Sequence, residues 1–120
     1  MFRPVFDLPP GVIGYSAVGK ITADDYSKVL IPEIEATLAE GGRLRFLYVA
    51  GPAFEGYEAD VMIGDATFGF RHFFDFEKIA FVSDDATLRS LVQGFGMTMP
   101  AEVRTFAVAD MAEAKAWLAA

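Results

Sequence analysis

His72 is the only histidine in the chain, so any imidazole chemistry must run through it. It stands in "DATFGFRHFFDFEK", residues 65–78, with Asp65 and Asp75 near enough in sequence to orient it as a general base. A base needs a nucleophile or a substrate proton to act on, and no G-x-S-x-G elbow supplies a serine. Metal binding fares no better. The position four residues beyond His72, where a helical site would place its second ligand, is Phe76. There are no cysteines, which removes thiol catalysis, disulfides and most structural zinc sites. The expectation is a protein with no catalytic residue, no metal and no cofactor.

Two further patterns bear on chemistry. "GYSAVGKI", residues 14–21, nearly spells a phosphate-binding loop, but Ile21 stands where the magnesium-binding hydroxyl belongs. The "YSAV" part also favours a strand over a loop that wraps phosphates with its N–H groups. The paired acids Asp24–Asp25 and Asp84–Asp85 each open a helical pattern, where caps and the helix dipole account for them.

The aromatic run is richer. Phe68, Phe70, Phe73, Phe74 and Phe76 fall within nine residues. On a helical wheel Ala59, Met62, Ile63, Ala66, Phe70, Phe73 and Phe74 form one broad stripe, the side expected to face a sheet. Val61 and Phe68 lie opposite, beside Gly64, Arg71, His72 and Asp75. Further on, Leu88, Leu91, Val92 and Phe95 recur at amphipathic spacing, and "GFGMTMP" adds Met97 and Met99, side chains suited to surfaces that repack around a guest. These residues define two expected sites. An apolar ligand pocket between the two helices would use Met62, Ile63, Ala66, Phe70, Phe73, Phe74, Leu91, Val92 and Phe95. An interaction surface would use Val61, Phe68, Met97 and Met99.

The elements that must position these residues follow from periodicity and punctuation. Phe2 to Phe6 and Val12 to Lys20 read as strands joined by the "DLPPG" turn. Thr22 caps a helix that ends at Gly41 and Gly42. Pro32 should kink it, bringing the stripe Tyr26, Val29 and Leu30 and the stripe Ile31, Ile34 and Leu38 onto one core. Residues 43–50 read as a buried strand, "GPAFEG" as a loop, and 58–75 as a helix. A strand over 78–83, a helix from Asp84 to Phe95 and a strand over 103–108 follow. A last helix starts at Asp110, with a box between Asp110 and Glu113 and with Met111, Ala114 and Leu118 inward. The order ββαβαβαβα predicts one α/β domain spanning residues 1–120, a mostly parallel five-stranded sheet with an antiparallel edge strand.

The charge of −7 argues against nucleic acid and gives no help toward an anionic membrane surface. No apolar stretch approaches the roughly 20 residues of a spanning helix, and the start "MFRPVFDLPPG" lacks a signal-peptide pattern. A cytoplasmic location is expected.

"GVIGYSAVGKITADDYSKVLIPEIEATL", "RLRFLYVAGPAFEGY", "FEKIAFVSDD" and "FGMTMPAEVRTFAVADMAEAKAWL" together resemble a family of small bacterial proteins with the SpoIIAA-like fold. STAS domains and CRAL-TRIO lipid carriers share that fold. The resemblance covers nearly the whole chain and implies the fold first. In STAS anti-sigma-factor antagonists a phosphorylated Ser or Thr follows the third strand, and here "GPAFEGYEAD" holds neither. Two roles come with the resemblance. The first is a non-catalytic carrier or sensor of a small apolar or lipid-like molecule, with transient membrane contact. The alternative is a STAS-type regulatory module that dimerises or docks a protein partner without the phosphorylation switch. An enzyme built around His72 ranks last.

Overall fold

The strand Leu44–Ala50 alternates between two cores: Phe46, Tyr48 and Ala50 point into one, Leu47 and Val49 into the other. A strand buried on both faces has to lie inside a sheet covered by helices on both sides. The computed structural model describes residues 1–58 and 75–120. In chain order its elements are β1 (Phe2–Pro4), β2 (Val12–Ala17), β3 (Gly19–Ile21), α1 (Ala23–Asp25), a π-helical turn (Tyr26–Leu30) and α2 (Ile31–Ala39). Then come β4 (Leu44–Ala50), β5 (Phe54–Tyr57), β6 (Phe76–Ser83), α3 (Ala86–Gly96), β7 (Glu102–Phe106), a 3-10 turn (Val108–Asp110) and α4 (Met111–Ala119).

Among the described residues the main sheet has five strands in the order β1-β2-β4-β6-β7. Only β1 runs antiparallel, pairing Phe2 with Ala17. The others are parallel, with Leu47 opposite Ala80 and Ala80 opposite Arg104. This is the expected mostly parallel α/β sheet with an antiparallel edge. On one face Tyr26, Leu30 and Ile34 join Phe46, Tyr48 and Phe81, with Leu88 and Val92 of α3 packed against them. On the other face Ala114 and Leu118 of α4 close over Leu47, Val49, Ala80, Val82 and Phe106. The helix expected over 58–75 lies, apart from Glu58 and Asp75, outside the described residues.

Several local expectations are corrected. The strand expected over Val12–Lys20 breaks in two at Gly19, whose φ of +67° is open to glycine at little cost. The break turns Gly19–Ile21 away to pair in parallel with Phe54–Tyr57, so "GPAFEG" is not a plain loop but leads into a second, two-stranded sheet. Strand β1 stops at Pro4 rather than Phe6, and β7 runs over Glu102–Phe106 rather than 103–108.

Pro32 deforms its helix through a π turn rather than a simple kink. Proline has no N–H to give the carbonyl four residues back, and its ring crowds that carbonyl. The chain widens just before it, and Ile31 N–H reaches the Tyr26 carbonyl, five residues back. The extra residue resets the helical phase, so Tyr26, Leu30 and Ile34 all reach the core at 6%, 2% and 1% exposure. Ile31 and Leu38 pack beside them, while Val29, expected inward, is exposed. At the other end of the chain, Ala114 and Leu118 are buried as expected, but Asp110 makes no side-chain cap, so the expected box with Glu113 is absent.

Candidate interaction surface

The route into α3 is fixed by short polar contacts. The Asp85 carboxylate accepts from the Thr87 and Leu88 N–H groups at 2.9 and 3.1 Å, capping the helix. The Ser83 hydroxyl accepts from Asp85 N–H at 3.1 Å, and Arg89 donates to the Ser83 carbonyl at 2.7 Å. Asp84 accepts from Val108 N–H at 2.9 Å and ties this corner to the start of the last helical segment. The other acidic pair is equally structural. Asp25 and Thr22 form a reciprocal capping box, and Asp24 pairs with Lys28 at 3.4 Å. Burial opposes ionisation of Asp25, but bonds from the Thr22 N–H and hydroxyl and from the Met1 ammonium outweigh it and hold its carboxyl below the usual value.

With α3 placed, its apolar residues and those of the segment that follows it divide. Leu88, Val92 and Met99 pack on the core, and Gly96 presses against β7, where a Cβ would lie 2.5 Å from that of Val103. Leu91, Phe95 and Met97 point outward, 65%, 59% and 84% exposed. The expected single stripe of Leu88, Leu91, Val92 and Phe95 is therefore split between two faces. Met99, expected on an interaction surface, packs against the core, whereas Met97, expected on the same surface, is exposed. Within α3 the only charged residue is Arg89, so the outward side carries rings, aliphatic carbon and small polar groups alone. Neither described cleft is lined by Leu91, Val92 or Phe95. The other residues expected at the pocket, Met62, Ile63, Ala66, Phe70, Phe73 and Phe74, lie outside the described residues, as do Val61, Phe68 and His72.

One feature escaped the sequence reading. A cleft of ≈ 470 Å³ opens at the carboxyl ends of β4 and β6, lined by Gly51, Phe54, Tyr57, Ser83, Asp85 and Leu88 among others. Parallel sheets place crevices at that end of their strands, and this rule was the available signal. Tyr57 reaches from this cleft to the buried Tyr48 hydroxyl at 2.6 Å. Burial, reinforced by the Tyr26 and Tyr57 hydroxyls, drives the Tyr48 phenol far above its ordinary value. The near phosphate-loop motif is divided between β2 and β3, with Gly14–Ser16 pairing β4 and Gly19–Ile21 pairing β5. Among the described residues no group of three or more His, Cys, Asp or Glu could hold a metal, and no helix is long and apolar enough to cross a membrane.

A comparison with curated proteins finds no match. Among solved structures, an uncharacterized protein of the DUF3478 family with a SpoIIAA-like fold, from Shewanella loihica PV-4, superposes with a TM-score of 0.81 at 21% identity. The match covers 98% of this chain and 92% of that one. At that identity the likeness speaks for the fold. The family follows from the SpoIIAA-like family model, which matches residues 12–119 and so takes in every element described above except β1. The chain belongs to the SpoIIAA-like family.

Proposed function

We propose that this protein is a non-catalytic regulatory module that docks a protein partner on the outward side of α3. The observation carrying this reading is the pairing of Leu91 and Phe95, both more than half exposed, on a helix whose only charge is Arg89. In a chain of net charge −7, an uncharged apolar face is where a partner meets least electrostatic resistance and gains most from leaving water. The SpoIIAA-like fold supports the same class of role. Burying a leucine and a phenylalanine is worth ~1.5–3 kcal/mol each before ordering costs, which suits a reversible complex. Gly51–Asp60 contains no Ser or Thr, so the module works without the phosphorylation switch that STAS antagonists carry there. An apolar carrier is the competing outcome, and the negative charge weighs against contact with an anionic membrane.

Site-specific photo-crosslinking tests the reading. A benzophenone side chain at position 95 should trap protein in a discrete band that Leu91→Ser removes, while the same group at exposed Glu113 traps none. Equal bands from both positions, or a band indifferent to Leu91→Ser, would contradict it. A dye or fatty acid that binds the native protein at micromolar concentration would favour the carrier instead.

A further inference from the structure

The two edges of the main sheet are unlike. Strand β1 is three residues long and closes on Pro4, which has no N–H to offer a neighbour. Strand β7 is five residues long and has neither Pro nor Gly. Its outer side pairs with nothing among the described residues. Among the described residues Gln93 reaches over it, its amide 3.4 Å from the Val103 carbonyl and 3.4 Å from the Thr105 hydroxyl, both long contacts.

The charges on this edge suit a copy of itself. Glu102 and Arg104 are both exposed, and neither forms an ion pair among the described residues. They stand two apart in one strand, hence on one face. The Arg104 guanidinium is held over the Phe106 and Trp117 rings at 5.3 and 5.5 Å, so it presents a fixed charge rather than a mobile one. We propose that β7 pairs antiparallel with β7 of a second copy about a two-fold axis at Val103. The geometry selects this register. Directly opposed residues of an antiparallel pair point to the same face, so the axis passes through a residue. At Val103 it sets Glu102 opposite Arg104 of the second copy at both ends. At Arg104 it would oppose two guanidinium groups. Met97, 84% exposed, caps α3 one turn beyond Gln93 and directly follows Gly96, which meets Val103, so it offers apolar area near the new ladder. This pairing goes beyond the docking reading and uses a different element from Leu91 and Phe95, so either can fail without the other.

Sedimentation velocity of the whole chain across a concentration series tests the pairing. Wild type should shift from 13.1 kDa toward twice that mass. Arg104→Glu opposes two carboxylates at each end and should weaken the dimer by about tenfold or more, as should Glu102→Arg by opposing two guanidinium groups. An equimolar mixture of these two variants restores opposite charges at both ends and should dimerise again, a recovery that neither misfolding nor a remote interface would give. A wild type that stays monomeric to about 200 µM, a dimer indifferent to both substitutions, or a mixture that fails to recover would each overturn the proposal. A monomeric wild type would leave the crosslink at position 95 still to be explained by a different partner.

Discussion

Gly96 marks the closest approach of helix to sheet, since any side chain there would begin 2.5 Å from the Val103 Cβ. Gly96→Ala should therefore cost about 1–3 kcal/mol through overpacking, read as a lower urea midpoint, despite alanine's better helix propensity. Unchanged stability would mean that α3 is not seated on β7 as described. Asp25 gives a pH test. Its carboxyl is held below the usual value, so the stabilisation is complete above the unfolded-state pKa and is lost as pH falls through the folded-state value. Asp25→Asn should cost ~1 kcal/mol at about pH 7, and the gap from wild type should close at about pH 2. A gap that persists in acid would assign the effect to something other than the charge. This box was legible because Thr22 and Asp25 stand three apart in one segment. The Tyr48–Tyr57 bond was not, because its partners come from strands of different sheets, and nothing in either segment names the other.

The helix around Pro32 shows the limit of reading by element. The proline announces a distortion, and its place in the sequence was enough to expect two stripes meeting on one core. Whether the helix bends or widens depends on what the core accepts. Here the π turn allows Tyr26, Leu30 and Ile34 to share it. Pro32→Ala should stay folded and within about 1 kcal/mol of wild type, because a recovered backbone bond is offset by rotating Tyr26 or Ile34 out of register. Stability raised by several kcal/mol with Tyr26 still buried would show that the turn is not set by the proline. The β3–β5 pair was missed for a related reason. "FEGY" is four residues long with a glycine inside, so it lacks both the length and the apolar run that mark a strand, and its partner lies more than 30 residues away.

Across the whole molecule, the succession of elements and the mostly parallel direction of the sheet were readable because each strand of the parallel core repeats the same signal, an apolar run between helical patterns. The site was less readable. Amphipathic spacing treats Leu88, Leu91, Val92 and Phe95 as equivalent, and only the seating of α3 on β7 decides that Leu88 and Val92 turn inward while Leu91 and Phe95 turn out. That division separates an interaction module from a carrier, and native mass spectrometry of the purified protein reads the difference most directly. The account predicts masses that are whole multiples of the 13.1 kDa chain, or that chain with another protein, and no small adduct. A stoichiometric adduct of lipid-like mass that survives gentle desolvation and leaves on mild activation would contradict it.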